Sequence, residues 1–421
     1  MNKPIKILVI AFKFPPYDGI GARRWAKFAK YFAQSNRELH VVTTNWYSSG
    51  KLGWEKDIQD QKIKIHQLAN PVYWLQNKLP SLFGLIEKIT LSIRFKVLKQ
   101  YDEAHFWTAI SKSKIKKIIV ENNITHAIAT GPPFSVNMML AKLKSELPNV
   151  KIIQDLRDPW IDDPYYLQRA PKAETQKQDE INMLNGSDAI VSATGSLLDL
   201  YKNKCTNGKV KFELIFNGFD AADANKNAKP SDKIKFEKEY INISYFGTIG
   251  AGREHQLMKF AIALNKQPME VYEKFRINIF GAIENEVDEK IKKLPIVSIF
   301  NFNPFMSINE VQYYMQASQI HLSINSEIYP YAFGTKLYDA FLYRKKVMLI
   351  SPEGELYSLL KENNLGYVTD GSSEKTSEII QQIILDSERQ KSNEEITNEF
   401  NFDKFSIQNL TQEYIQFLEQ V

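Results

Sequence analysis

Short apolar runs alternate with amphipathic stretches along most of this chain. Residues 5–12 form an unbroken apolar run apart from Lys6. A run without in-out alternation predicts a strand buried on both faces, as in the centre of a parallel sheet. A turn-rich loop follows, Lys13-Phe14-Pro15-Pro16-Tyr17-Asp18-Gly19-Ile20-Gly21, then a helix over 22–34 and a second strand over 39–44. The rhythm predicts a βαβ unit with a glycine loop after its first strand. It returns with strands over 125–130, 151–154, 189–193 and 211–216, and with helices over 134–147, around 173–184 and from Ser196. A second series has strands over 241–246, 276–280, 297–300, 320–324 and 346–350, with a helix running to Ala263 and a short one over 336–343. Residues 402–421 read as a terminal helix. These elements predict two parallel α/β domains, over 1–222 and 240–400. The polar stretch 221–239 is placed as the linker, and 401–421 as a helix crossing back to the first domain.

One region breaks the pattern. Residues 72–75, 82–86 and 93–99 mix apolar and aromatic positions with Lys and Arg, in an insertion spanning about 70–118. The charges are too frequent for a membrane span, and the pattern suits either an interfacial amphipathic segment or a pair of helices packed on the domain. Charge sharpens this point. The net charge is +5, yet residues 1–120 carry 21 Lys and Arg against 8 Asp and Glu, and the other 301 residues carry 33 against 41. A basic first quarter points to an anionic partner for the first domain, a membrane surface, a phosphorylated acceptor or nucleic acid, and this balance tilts the reading of the insertion to an anionic membrane surface. Nucleic acid is not expected, because no groove-reading motif accompanies the lysines.

Composition adds limits. The 421 residues are too many for one core, and 43% apolar with 24% charged residues is ordinary for a globular protein. A single cysteine, Cys205, excludes an internal disulfide and cysteine-based zinc sites. No apolar run approaches the roughly 20 residues of a membrane span. The N-terminus runs directly into a strand, so no signal peptide is expected, and the setting expected is cytoplasmic, on the inner face of the plasma membrane.

The candidate chemistry lies in loops after strands. Pro330-Tyr331-Ala332-Phe333-Gly334-Thr335-Lys336-Leu337-Tyr338-Asp339-Ala340 joins a buried strand to a short helix. Thr335 is placed as the N-cap, the free helix N–H groups and Lys336 favour an anion, and Asp339 shares a face with Lys336. The plain alternative is a strand-loop-helix with a surface ion pair. Gly247-Thr248-Ile249-Gly250-Ala251-Gly252-Arg253 offers backbone amides and a guanidinium to a phosphate, although Gly252-Arg253-Glu254 is not a Walker A. In the first domain Gly19 and Gly21, with Arg23 and Arg24 beside them, form a ligand loop, but not a G-x-G-x-x-G fingerprint. Asp155, Arg157 and Asp158 end a strand and serve either an acceptor hydroxyl or an ion pair fixing the loop. The histidines show no i, i+4 metal spacing, and His40, His126 and His321 sit in apolar strands as core residues. No D-x-D triplet is present, which favours a metal-independent site.

Taken together these stretches resemble the GT-B glycosyltransferases, in particular the large retaining family 4. The resemblance rests on Phe14-Pro15-Pro16 with Gly19 and Gly21, on Thr130-Gly131-Pro132-Pro133, and on Asp155-Leu156-Arg157-Asp158-Pro159-Trp160. It continues with Ile215-Phe216-Asn217-Gly218-Phe219-Asp220, Tyr245-Phe246-Gly247-Thr248-Ile249-Gly250 and Lys336-Leu337-Tyr338-Asp339. It implies two Rossmann-like domains facing across a cleft. The second would hold a UDP- or GDP-sugar through Gly247, Thr248, Gly250, Thr335, Lys336 and Asp339, with Arg253, Lys336 and Asp158 as the catalytic candidates. The first would hold the acceptor through Gly19, Gly21, Arg23, Gly131 and Asp155. No cofactor or metal is implied. Where the family has E-x7-E, this chain has Tyr331 and Asp339, and the family's catalytic-region His is replaced within Asp155 to Asp158. The nucleobase is expected near residues 302–305. The implied activity is retaining hexosyl transfer from a nucleoside diphosphate-sugar to a glycan or lipid-linked hydroxyl, in cell-surface polysaccharide assembly. Two alternatives stay open: a nucleotide-sugar epimerase on the same fold, and a non-catalytic nucleotide-sugar-binding component.

Overall fold

A computed structural model describes residues 5–35, 37–46, 53–71, 102–164, 173–232, 234, 236–283, 285–389 and 400–421. The chain divides into two compact units, Met1–Asn217 with Ile407–Val421, and Gly218–Ser406. The amphipathic stretches at 72–75, 82–86 and 93–99 lie outside the described residues.

The first unit is built on strands β1 Ile7–Ile10, β2 Leu39–Thr44, β3 Ile63–Leu68, β4 His126–Gly131, β5 Lys151–Leu156, β6 Ala189–Ser192 and β7 Lys211–Leu214. They form one sheet in the order β3-β2-β1-β4-β5-β6-β7, with parallel pairing throughout the described ladders. Its helices include α1 Arg23–Gln34, α2 His105–Glu121, α3 Phe134–Leu143, α4 Ala173–Asn185 and α5 Gly195–Lys204. β1 shows why the run at 5–12 carries no alternation. Ile7 and Val9 pack on the face that α1 covers, while Leu8 and Ile10 pack with Trp107 of α2 and Leu140 of α3 on the other. Both faces are covered, so each position must be apolar.

β3 was not anticipated. Its Ile63-Lys64-Ile65-His66-Gln67-Leu68 is mostly exposed or half-exposed, as an edge strand is, so it lacks the buried-run pattern of its neighbours.

The second unit holds β8 Ile241–Phe246, β9 Phe275–Phe280, β10 Phe300–Asn303, β11 Ile320–Ile324, β12 Lys346–Ile350 and β13 Gly366–Thr369. Their order is β10-β9-β8-β11-β12-β13, again parallel. Around them run α6 Arg253–Leu264, α7 Ile308–Ala317, α8 Thr335–Leu342, α9 Glu355–Glu362 and α10 Ser373–Arg389. The strand expected over 297–300 begins only at Phe300, because Pro295–Ile299 closes a 3-10 turn first. An amide ladder crosses the sheet where β10 brings polar residues inward. Asn301 Nδ2 donates to Asn278 Oδ1 at 3.0 Å, and Asn278 Nδ2 to Asn242 Oδ1 at 2.9 Å. Each buried amide is thereby partnered, which removes most of its desolvation cost.

The stretch 221–239 is part of the second unit. It packs on α7, whose Gln312 donates to the Asp223 carbonyl at 2.7 Å and Gln316 to the Asn225 carbonyl at 2.9 Å. Polar composition there reflects these hydrogen bonds, and the chain passes between units at Asn217–Gly218.

Helix α11, Ile407–Gln420, belongs to the first unit. Its Tyr414 is fully buried and meets the rings of Trp25, Phe28 and Phe32 on α1, with centroids at 5.6, 5.6 and 6.1 Å.

Candidate functional site

In a doubly wound sheet, ligands gather where the strand order reverses direction, outside the carboxyl ends of the strands. In the second unit that point lies between β8 and β11. The loop after β8 and the loop after β11 therefore emerge side by side, and these are the two phosphate-like stretches of the sequence. They touch: a Cβ on Gly252 would lie 2.3 Å from Ser326 Oγ. Gly252 also has a φ of 82°, so glycine is required there on both counts. Gly247 has a φ of 137°, and its carbonyl lies 2.1 Å from where a Cβ of Gly281 would stand. Thr248 is exposed and Gly250 is buried. The Tyr245 hydroxyl donates to the Thr248 carbonyl at 3.1 Å and pins the turn. Burial raises the Tyr245 pKa, against the pull of nearby Arg253.

Arg253 opens α6. Its Nε donates to the Gly250 carbonyl at 2.9 Å. Among the described residues its two Nη nitrogens make no hydrogen bond, so the fork retains donors suited to a phosphate. Glu254 supports the loop, with Oε1 accepting from the Gly252 N–H at 3.0 Å.

On the other side, Lys336 Nζ lies 3.0 Å from Asp339 Oδ2, on a Lys side chain 43% exposed and an Asp side chain 13% exposed. The predicted Lys-Asp face exists. Thr335 is not the N-cap. Gly334 occupies that position, and Thr335 is the first helical residue, with no side-chain cap bond present. The helix starts one residue earlier than the pattern suggested, so the first-turn amides are not consumed by a hydroxyl cap. Behind α8, His321 is buried in β11 against the Phe246 ring, with Asp339 and Lys336 nearby. Burial pushes its pKa down to about 3, so the ring is neutral. Tyr331 packs edge-on to Tyr329, with ring centroids 6.4 Å apart. Glu327 is engaged by Lys259.

In the first unit the reversal lies between β1 and β4. The loop carrying Gly19 and Gly21 emerges there beside Gly131 at the end of β4, and the Asp155–Asp158 stretch closes β5, the next strand, and runs past its end. A Cβ on Gly131 would fall 2.3 Å from Asn137 Oδ1. Arg23 heads α1 and is buried. Asp155 is fully buried. Its Oδ1 and Oδ2 accept from Arg24 Nε at 3.2 and 3.1 Å, Oδ1 from Arg24 Nη2 at 2.9 Å, and Oδ2 from Trp25 Nε1 at 2.6 Å. Of the two roles expected for Asp155, acceptor contact or an ion pair fixing the loop, this geometry is that of the ion pair. Both carboxylate oxygens are occupied, and the acid is the fixing member of a buried ion pair. Arg24 also donates to the Ile215 and Phe216 carbonyls at 2.9 Å each and to Asn217 Oδ1 at 3.0 Å. Asp158 is half-buried, and its carbonyl accepts from the Tyr201 hydroxyl at 2.8 Å.

The long-range partnerships of Arg24, Arg157 and Tyr414 carry no local sequence signal, since their contacts lie far away in the chain. Among the described residues no cluster of His, Cys, Asp and Glu is arranged for a metal.

No protein-family model matches the sequence, and no curated protein does. Solved structures do resemble the fold. Crystal structures of HepE from Anabaena, one in complex with UDP and one with UDP-glucose, share 15% identity over 99% of this chain and 100% of theirs, at TM-scores of 0.63 and 0.61. A sucrose-phosphate synthase from Thermosynechococcus elongatus shares 11% over 99% of each chain at 0.67. The UDP-GlcNAc 2-epimerase of Methanocaldococcus jannaschii shares 10% over 99% of each at 0.56. The fold is thus two Rossmann-like domains of the GT-B kind.

Proposed function

We propose that this protein is a glycosyltransferase that moves a hexosyl unit from a nucleoside diphosphate-sugar, of the UDP or GDP type, to a hydroxyl of a glycan or lipid-linked acceptor. The observation that carries this reading is the meeting of two anion-suited loops at the β8/β11 switch point. One carries Arg253 with donors to spare, and the other carries Lys336. When the glycosidic bond to the diphosphate breaks, negative charge grows on the departing phosphate oxygens. Fixed cations beside those oxygens stabilise that charge more than they stabilise the ground state. Asp339 would take the ribose hydroxyls, and its ion pair with Lys336 holds both side chains near that position before the donor arrives. The UDP and UDP-glucose bound by the HepE structures support the donor class.

The first unit would take the acceptor at its β1/β4 crevice, with Asp158 the acid at its rim. Retention of anomeric configuration, independence of metal and a role in polysaccharide assembly belong to the same reading, by resemblance to family 4. A lipid-linked acceptor on an anionic membrane accords with α2, where Phe106 and Ile110 are 40% and 43% exposed beside Lys114 and Lys117. No helix among the described residues is long and apolar enough to cross a membrane.

A panel of nucleotide sugars screened by thermal shift tests the donor site. A donor at 100 times its Kd adds about 2.7 kcal/mol, and no shift with any UDP- or GDP-sugar sinks the proposal. The likeness to an epimerase keeps a second reading in play. Conversion of UDP-GlcNAc without an acceptor would favour it, whereas acceptor-dependent release of nucleoside diphosphate favours transfer.

A further inference from the structure

Arg157 sits just past the end of β5, on the edge of the first unit where the loops after β1 and β4 emerge. Its side chain makes three hydrogen bonds, all to backbone carbonyls. Nη1 donates to Gly21 at 2.8 Å, Nη2 to Pro132 at 2.8 Å and Nε to Gly131 at 3.1 Å. Its own N–H also reaches the Gly131 carbonyl, at 3.2 Å. One planar fork thus spans the loop after β1, the loop after β4 and its own loop after β5.

We propose that Arg157 is a positioning residue for the first unit's ligand crevice, its guanidinium fixing the spacing of the three loops that carry Gly21, Gly131 and Asp158. This rests on the reading of that crevice as the acceptor site. Geometry alone makes the case that the role belongs to arginine. Three acceptors in different directions match the rigid, planar arrangement of guanidinium donors, and a lysine ammonium on a flexible stem cannot reproduce it. The chain just after the β4 loop is also tied to the β5 loop by Phe134 stacked on Trp160, with centroids 5.3 Å apart, but that contact does not reach the loop after β1. Tyr17 rests on Trp46 with centroids 4.5 Å apart, within the first loop's own side of the crevice, and Asn137 holds Ala129 rather than the loop tip. Asp155 is committed to Arg24, so it does not share this work. Burial lowers the Arg157 pKa, opposed by the charges of Asp158 and Asp155. The side chain is half-buried, and its partial removal from water strengthens these hydrogen bonds.

The test is hydrogen exchange by mass spectrometry on the full chain, comparing wild type with Arg157→Ala and Arg157→Lys. Loss of the fork is expected to speed exchange about tenfold in peptides covering 17–24 and 130–135, with peptides of β8, α6 and α8 unchanged. Arg157→Lys is expected to restore only part of the protection, and millimolar methylguanidinium to restore it in Arg157→Ala. With UDP-glucose as donor and octyl glucoside as acceptor, Arg157→Ala is expected to raise the acceptor KM and leave the donor KM unchanged. Unchanged exchange in both loops, a rise spread across the whole first sheet, full recovery in Arg157→Lys, or equal changes in both KM values would overturn the proposal. If no nucleotide sugar binds the wild type, the functional reading falls, while the exchange comparison still decides the role of Arg157.

Discussion

Replacing Asp155 by Asn keeps the shape of the side chain and removes its charge. The site is fully buried, and the carboxylate accepts from Arg24 and Trp25 at 2.6 to 3.2 Å. An Asn has one acceptor oxygen where the carboxylate has two, so its NH2 must face the N–H of either Arg24 or Trp25. The larger effect is electrostatic. Arg24 is 4% exposed, and its positive charge loses its partner. Removing one member of a buried ion pair costs about 3–5 kcal/mol. The assay is favoured by the sequence, because Trp25, Trp46, Trp54, Trp74, Trp107 and Trp160 all lie before Asn217. Tryptophan fluorescence therefore reports the first unit alone. With a urea slope of about 3 kcal/mol/M, the unfolding midpoint should fall by about 1–1.7 M. The double change Arg24→Met with Asp155→Leu removes both charges and should cost less than the sum of the single changes. A shift in Asp155→Asn below about 0.3 M would refute the reasoning, since the ion pair would then contribute almost nothing despite its burial.

Three further outcomes are expected. Lys336→Ala should weaken UDP binding, measured by calorimetry, by about 10- to 100-fold, the worth of one hydrogen bond to a charged group. Its unfolding should hardly change, because a half-exposed ion pair adds little stability. Tyr414→Ala should lower first-unit stability by about 3–5 kcal/mol, since a buried ring is lost among three others, and fluorescence-detected urea unfolding reads it. Burial lowers the His126 pKa from 6.5 to about 4. The unfolded chain therefore binds the proton first, and stability present above pH 6.5 is lost as pH falls toward 4. His126→Gln should narrow its stability difference from wild type by up to about 1.4 kcal/mol per pH unit across that window, and a pH-independent difference would count against it.

The parallel α/β character was legible because central strands such as β1 and β4 are buried on both faces and read as apolar runs. The strands that escaped notice, or were placed a few residues off, are those at edges or with polar interiors. β3 exposes Lys64 and Ile65. β10, expected over 297–300, carries the half-buried Asn301, whose place in a strand makes sense only once Asn278 and Asn242 stand beside it. β13 is short, and Gly366 opens it. The phosphate-like loops were legible because glycines with positive φ, and a cation at a helix start, leave local marks. For Asp155 the ion-pair alternative was legible but the partner was not, because Arg24 stands 131 residues earlier. Thr335 misled for a different reason: a hydroxyl at a helix start is a cap only if its backbone is the residue before the helix, and here Gly334 takes that place.

Helix α11 has a consequence during synthesis. The first unit is completed by residues 407–421, which follow the whole of the second unit in the chain. A ribosome adding about 5–20 residues per second needs roughly 10–40 seconds to travel from Asn217 to α11. Through that interval the rings of Trp25, Phe28 and Phe32 lack the Tyr414 ring that covers them. The second unit, contiguous in sequence, can close first. The nascent first unit then waits with an aromatic face open to water, and to whatever in the cell holds such faces until the chain is finished.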